Sequence, residues 1–398
     1  MFPQIAAGRL VAFDERVEVA PLVTGFWNVG VPNAAARGPA EHDWHIPHDT
    51  PNNPSEARMA ESRTITCMQT FLAFRSHQEN GRVTSRLDRV PIAGLADGDV
   101  LIRAAWSSIN YKDALAGTGT GKIMKRFPTT VGVDTAGVVD ASRDDRFKAG
   151  DQVLVVGCGL GEERDGGFAE FVCVPGDSIV RLPQGLSLRE SMAIGTAGFT
   201  AALAVQRMED NGQVPSQGPI LVNGATGGVG SLAIDIMASS GYAVVAATGK
   251  NDQAGYLRSL GAHEILLTGS LEMGTRPLEK ALYAGAIDNL GGAMLSWLTR
   301  VVQPLGNIAS IGLASGPGLS TTVMPFILRG INLLGINSTY TPAPLRQKVW
   351  DRLASDLRPR QLGIIANREV TLAELPSVFS SYLQGTITGR TLVRIGQP

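Results

Sequence analysis

Asn223-Gly224-Ala225-Thr226-Gly227-Gly228-Val229-Gly230-Ser231 is the stretch that decides the fold. The apolar run Ile220-Leu221-Val222 precedes it, and Leu232-Ala233-Ile234 continues it with the pattern of a helix. Gly224, Gly227 and Gly230 recur at a three-residue spacing. Each glycine has a task in a strand–loop–helix turn: the chain must bend sharply, a pyrophosphate must approach bare backbone, and the helix must pack close to the strand. The N–H groups and positive dipole end of the following helix then face the phosphates. A purely structural glycine turn is the competing reading. The order strand, loop, helix inside a βαβ unit favours a dinucleotide site, with Gly224, Gly227, Gly228, Val229, Gly230 and Ser231 as its loop.

The next strand identifies the dinucleotide. Sites for NAD place Asp or Glu where the second strand ends, to hold the ribose hydroxyls. Here that strand, residues 243–247, runs into Thr248-Gly249-Lys250 with no acid. A carboxylate would repel a 2′-phosphate, whereas Lys250 attracts one and Thr248 offers a hydroxyl donor. The pattern predicts NADPH, against the plainer reading of Lys250 as a solvated loop lysine.

Outward from the loop, residues 194–336 alternate strand and helix: PILVN, GGVGSLAIDIMASSG, AVVAAT, QAGYLRSLG, EILL, PLEKALYAG, AIDNL, AMLSWLTRVV, NIASIG, MPFILRG, INLLGI. Repeated units of this length predict an α/β fold with a doubly wound parallel sheet covered on both faces. Ligand contacts in such sheets come from the C-terminal strand ends. Asn289, Gly312 with Leu313, and Asn337 with Ser338 occupy those positions, and each is equally compatible with an ordinary turn. Residues 68–193 read instead as short strands between Gly, Asp and Pro turns, including MQTFLAF, VLIRAAWSSI, TTVGVDTAGVV, DQVLVV, FAEFVCV and SIVRL, a partly closed β-barrel. The tail, 337–398, contains two helix-like segments and a last strand, GRTLVRI, expected to rejoin the first domain. Residues 1–67 carry scattered Pro, Asn, Ala and Glu without apolar periodicity and are expected to be a disordered extension. Either Met68 is the true start, or the upstream stretch is a flexible tail.

Bulk properties narrow the function classes. The 398 residues carry 35 Lys and Arg against 36 Asp and Glu, a formal net charge of −1. Nothing there draws the chain to nucleic acid or anionic lipid, so an anion site must be local. Cys67, Cys158 and Cys173 make no disulfide framework and no pair with metal-ligand spacing. They point to a reducing compartment. The N-terminus lacks the apolar core of a signal peptide, and no apolar run approaches the roughly 20 residues of a membrane span. A cytoplasmic location is the expectation.

Several longer motifs now combine. PTTVGVDTAGVV (128–139), FKAGDQV (147–153), GGFAEF (166–171), IGTAGFTAA (194–202) and the glycine loop resemble, in order and spacing, the medium-chain dehydrogenase/reductase superfamily. WSSINYKDALA (106–116), TTVMPFILR (321–329) and GRTLVR (389–394) narrow the resemblance to the acrylyl-CoA reductase branch of its quinone-oxidoreductase-like enzymes. The likeness runs from Met68 to the C-terminus. It implies a GroES-like catalytic β-barrel, 68–193 with 337–398, beside a Rossmann domain, 194–336. It also implies NADPH-dependent reduction of the acrylyl-CoA double bond, and a homodimer, with the INLLGI strand as a candidate for edge pairing.

The superfamily includes zinc enzymes, which place a His beside an acid ahead of the glycine turn. Here the stretch is Val131-Gly132-Val133-Asp134, without His, and the four-cysteine lobe is missing. Within the family region only His77 and His263 remain, so no metal is expected. His42, His45 and His48 share a helical spacing, but Pro47 opposes a helix and little apolar sequence surrounds them.

Reduction of an alkene conjugated to a thioester needs a hydride at the β-carbon, a proton at the α-carbon and stabilisation of the oxyanion between them. The resemblance places Asn110-Tyr111-Lys112-Asp113 beside the nicotinamide. Tyr111 is the expected active-site hydroxyl, set against a packed aromatic. Asn110 is a candidate donor to the substrate oxygen, Asp113 an orienting residue, and Arg390 a contact near the nicotinamide or the subunit boundary. Lys122, Lys125 and Arg126 are candidates for the phosphates of CoA, or a solvated basic loop. A quinone or enone reductase is the alternative enzyme, and a nucleotide-binding protein without catalysis the alternative class.

Overall fold

The structure is a computed structural model and describes residues 70–95 and 97–396. The expected extension over 1–67, with its three histidines and Cys67, lies outside the described residues.

The chain enters as a hairpin, β1 (Thr70–Glu79) with β2 (Arg82–Pro91). Asn80 and Gly81 turn it at φ 51° and 76°, the left-handed pair that a two-residue hairpin loop requires. Next come β3 (Val100–Ser108), β4 (Thr129–Thr130), β5 (Asp134–Ser142), β6 (Gln152–Val156), β7 (Phe171–Val174) and β8 (Val180–Arg181). β4 pairs with β1, while β3 is the hub of the larger sheet, paired with β5 and β7. The C-terminal strands β15 (Arg368–Thr371) and β16 (Thr391–Arg394) complete it, β16 lying antiparallel to β3. The run TTVGVDTAGVV, expected as one strand, is two. Gly132, at φ 109°, separates β4 from β5, and a Cβ there would lie 2.7 Å from the Phe168 nitrogen.

Helix α1 (Tyr111–Thr118) follows β3 almost at once. Helix α2 (Leu188–Asp210) starts from a capping box in which Ser187 and Glu190 satisfy each other's backbone N–H. It packs on β3, β5 and β6 and on the second sheet's β13 (Val302–Ser310). The expected boundary at 193/194 falls inside this helix, next to a break at Gly195 (φ 50°, ψ −159°).

The second sheet is six-stranded and parallel. Its strands are β9 (Ile220–Val222), β10 (Val244–Thr248), β11 (Glu264–Leu267), β12 (Tyr283–Asp288), β13 and β14 (Asn332–Gly335), in the order β11-β10-β9-β12-β13-β14. The two-residue period sends neighbours to opposite faces. Ile220 and Val222 join one buried cluster with Leu232 and Ile236 of α3 (Gly228–Ser239). Leu221 joins the other with Leu295 and Leu298 of α5 (Gly292–Val301). Short helices α4 (Ala254–Ser259) and α6 (Met324–Arg329) lie among these strands, and α7 (Ala343–Leu353), α8 (Leu362–Ile365) and α9 (Leu375–Leu383) follow. The segment PLEKALYAG, expected as a helix, is not one. The Glu279 and Leu282 N–H groups donate to the Arg300 and Val301 carbonyls at the end of α5, drawing the chain out, and its last residues become β12.

Candidate active site

Strand order reverses between β9 and β12, and a parallel sheet of this topology opens its ligand crevice there. The glycine loop stands at that point. Gly224 turns at φ 57°, and Gly227 is extended as the N-cap of α3. A Cβ on Gly230 would lie 2.3 Å from the Gly224 carbonyl oxygen, so the close approach of helix and loop requires glycine. The first-turn N–H groups of α3 lack partners within the helix and face the loop's mouth. Ser231 does not face it: its buried hydroxyl donates towards Ala225 O and accepts from Tyr256 Oη at 2.9 Å.

Across the crevice, Asn223 ties β9 to β12. Its Nδ2 donates to Asp288 Oδ1 at 2.5 Å, and its Oδ1 accepts from the Asn289 N–H at 2.6 Å. The Asn289 Nδ2 donates to Asn223 O at 2.7 Å, leaving Asn289 Oδ1 buried with no donor. Such an orphan acceptor is costly unless a ligand hydroxyl or amide meets it. Gly312 closes over Asn289, its would-be Cβ 2.3 Å from that residue's carbonyl oxygen, and Leu313 beside it is exposed. A bare glycine cradle, a helix N-terminus and an unsatisfied acceptor together fit a dinucleotide.

At the end of β10, Thr248 is buried and its hydroxyl accepts from the Lys250 N–H at 3.0 Å. Gly249 is exposed. Lys250 Nζ donates to the Ile387 carbonyl at 2.8 Å and to Thr388 Oγ1 at 3.4 Å, with no carboxylate in ion-pair range among the described residues. Burial holds its pKa below the usual lysine value, while the charge of Asp252 pulls it upward.

The Tyr111 end is built by α1. Asn110 is the N-cap, and Tyr111, 47% exposed, opens the helix. Asp113 is buried. Its Oδ2 accepts from the Asn110 N–H at 2.7 Å and its Oδ1 from the Val133 N–H at 3.0 Å. Burial, then the nearby Asp134 charge, pushes the Asp113 carboxyl up to about 7, against the pull of the Asn110 and Val133 donors. Asp113 therefore touches backbone rather than the cleft, which fits an orienting role and not a catalytic one. The Asn110 amide is also committed: Nδ2 to Asp134 Oδ2 at 2.8 Å, Oδ1 to Arg390 Nη1 at 2.9 Å.

Sequence reading passed over the centre of this network. Asp134, fully buried, accepts from Ser108 Oγ at 2.5 Å and from the Thr196 N–H and hydroxyl, and pairs with Arg390 at 3.5 Å. The lone Asp of VGVD, in the stretch where zinc relatives carry a His beside an acid, was the available signal. Ser338 and Asn337 follow β14 in the loop that meets α1, where Lys112 Nζ reaches Glu162 at 2.7 Å and Thr339 Oγ1 at 3.5 Å. Asn337 Oδ1 itself accepts from the Tyr340 N–H. In the basic loop, Lys125 pairs with Glu163 and Arg126 with Asp97 and Asp165, so two of its three cations are already compensated. Among the described residues no group of three or more His, Cys, Asp or Glu could hold a metal ion.

A glycine phosphate loop at the switch point of a parallel sheet, beside an antiparallel β-domain that carries a tyrosine, defines a two-domain nucleotide-dependent oxidoreductase. Residues 96–184 match the alcohol dehydrogenase GroES-like domain family, and residues 228–355 the zinc-binding dehydrogenase family. The chain is 42% identical to acrylyl-CoA reductase AcuI of Ruegeria pomeroyi over 329 residues, 82% of this chain and 99% of that protein. The crystal structure of Escherichia coli K-12 YhdH with bound NADPH superposes with a TM-score of 0.78 at 44% identity, covering 81% of this chain and 99% of that one. Bacillus subtilis yhfP, solved with NAD bound, gives 0.80 at 44% identity over 82% and 99%. The chain belongs to the acrylyl-CoA reductase branch of the quinone-oxidoreductase-like medium-chain dehydrogenases/reductases.

Proposed function

We propose that this chain reduces the carbon–carbon double bond of acrylyl-CoA to give propionyl-CoA, using NADPH and no metal. The observation that carries the reading is the placement of exposed Tyr111 at the start of α1, joined through Asn110 and Arg390 to the segment that packs on the phosphate loop. Its likeness to AcuI and to NADPH-bound YhdH supplies the substrate class. When bound, the nucleotide supplies the hydride for the β-carbon. Loop 224–230 holds its diphosphate, Lys250 its 2′-phosphate, and Asn289 and Gly312 the ribose and nicotinamide side. Tyr111 orients the thioester carbonyl or relays the proton to the α-carbon. The N–H groups of the first turn of α1 add positive potential where the enolate oxygen forms. Metal is dispensable because the stretch 131–134 carries no His and its one carboxylate, Asp134, is committed to Ser108, Asn110, Thr196 and Arg390.

The division into 68–193 with 337–398 and 194–336 belongs to the same proposal, supported by the two sheets. So does a homodimer through β14, supported by the edge of that strand, which pairs with no strand among the described residues. A reducing, cytoplasmic setting is supported by the free thiols of Cys158 and Cys173. A quinone or small-enone reductase is the second reading. It is favoured by the compensated charges of Lys125 and Arg126, which leave only Lys122 of that loop uncompensated for CoA phosphates.

The test is NADPH oxidation by purified protein with acrylyl-CoA, longer enoyl-CoAs and a quinone in parallel. The proposal expects kcat/KM for acrylyl-CoA to exceed that for the quinone by more than about tenfold; the reverse order selects the second reading. Tyr111→Phe should lower kcat by roughly 10²-fold. Its thermal midpoint should not move, because an exposed hydroxyl makes little contribution to folding.

A further inference from the structure

The sequence offers Arg390 as a contact near the nicotinamide or the subunit boundary. It is 2% exposed, and its donors are used inside the protein. Nη1 donates to Asn110 Oδ1 at 2.9 Å and to Ile109 O at 3.2 Å. Nη2 donates to Ser108 Oγ at 2.6 Å and faces Asp134 Oδ2 at 3.5 Å. Nε donates to Ala193 O at 3.3 Å, just before the break in α2. The head of this side chain therefore gathers the end of β3, the start of α1 and the kink of α2. A Cβ on Gly195 would lie 2.4 Å from Nη2 and 2.6 Å from Asp134 Oδ2, so the kink leaves the pair its room.

The stem of Arg390 lies elsewhere. A Cβ on Gly228, the first residue of α3, would come 2.9 Å from Arg390 Cδ. The backbone of the same segment is fastened to the phosphate loop, with the Gly389 N–H donating to Thr226 O at 2.9 Å. One residue thus packs on the phosphate helix with its methylenes and holds the N-cap of the Tyr111 helix with its guanidinium. Between Asp134 and Arg390 the Asn110 amide has its donor and acceptor ends both assigned, so it cannot flip without breaking a charge-assisted bond.

We propose that Arg390, clamped by Asp134, is a positioning residue: it transmits the seating of a dinucleotide phosphate on loop 224–230 to Asn110, and so fixes Tyr111 for the reaction. The pair is buried and several-fold bonded, so its members shift together with the elements they hold. An apolar side chain would fill the same space beside Gly228 but would leave Asn110 Oδ1 without its donor, the amide being held through Nδ2 alone. The proposal rests on reading loop 224–230 as a nucleotide site, and not on which acceptor is reduced.

Hydrogen–deuterium exchange with and without saturating NADPH, alongside calorimetry, tests it on wild type and Arg390→Lys. In wild type, NADPH should slow exchange at amides 228–231 and at amides 111–116. In Arg390→Lys the first protection should persist, with Kd within about threefold of wild type. The second should fall to the ligand-free level, with kcat at least about tenfold lower on whichever acceptor wild type reduces. Should that variant not fold, Ser108→Ala keeps the arginine, removes its 2.6 Å acceptor, and should give the same pattern with smaller amplitude. Unchanged protection at 111–116 in the folded variant overturns the proposal. So does a rise in Kd matching the fall in kcat/KM, which would make Arg390 a nucleotide contact. A wild type that shows no heat with NADPH removes the nucleotide site itself, an outcome that calorimetry separates from the others.

Discussion

Lys250 is a cation resting on neutral atoms. A carbonyl and a hydroxyl orient its ammonium, and neither cancels its charge. Lys250→Glu should therefore weaken NADPH by about 2 kcal/mol, roughly 30-fold in Kd. NADH, without the 2′-phosphate, should change little, and calorimetry with both nucleotides decides the matter; equal losses would remove Lys250 from phosphate recognition. Asp113 makes a second residue-level prediction, through pH. Its carboxyl is lifted from the ordinary 3.8 to about 7. Between those values the folded chain keeps a proton that the unfolded chain has released, so this group's contribution to stability is present below pH 4 and declines as pH rises to about 7. The slope approaches about 1.4 kcal/mol per pH unit. Asp113→Asn should flatten that decline in denaturant titrations from pH 5 to 8. It should also lower stability by roughly 1–3 kcal/mol, since an amide has only one oxygen for the Asn110 and Val133 donors. An unchanged pH slope would show that Asp113 is charged throughout. Tyr111 and Asn110 were legible because they sit in one short motif. The Asp134–Arg390 pair was not, because its members are 256 residues apart and only the fold brings them together.

At the scale of elements, the glycine loop was legible because each glycine answers a local steric demand. Gly230→Ala places a methyl 2.3 Å from a backbone oxygen that cannot swing aside. The helix must then retreat from the loop, and NADPH affinity should fall by more than about tenfold, with a loss of roughly 1–3 kcal/mol in stability. Calorimetry and a denaturant melt check the two halves separately, and wild-type affinity in the variant would mean the nucleotide does not use this loop. The strands of the parallel sheet were legible from their apolar runs. The failures share one cause. PLEKALYAG has helical spacing, yet the open carbonyls at the end of α5 take its N–H groups and straighten it. TTVGVDTAGVV is rich in β-branched residues from end to end, and only the Phe168 backbone lying against Gly132 explains why it breaks. In both, a partner distant in sequence outweighs a local preference.

At the scale of the molecule, the six-stranded sheet ends in β14, whose outer edge has no partner strand among the described residues. An open edge is a template for another strand unless something blunts it. The strand itself carries no charge, reading Asn332-Leu333-Leu334-Gly335, and Arg207 bonds only the Gly335 carbonyl at its end; nearby Leu305, Val323, Ile327 and Leu328 are exposed, Ile327 at 71%. Isolated exposed apolar side chains are ordinary, but several beside one bare edge make a patch of the kind that marks an interface. A second copy meeting this edge by a two-fold axis would pair β14 with itself and continue the sheet, covering the same side chains. Light scattering on the wild type should therefore give twice the chain mass at micromolar concentration. Ile327→Glu combined with Leu333→Lys should give a single chain mass. The NADPH affinity of that variant should stay within about twofold, because loop 224–230, Lys250 and Asn289 follow the ends of the inner strands β9, β10 and β12. A monomeric wild type would leave this apolar edge facing water without a purpose and would sink the dimer. A variant that stays dimeric would move the interface to another face.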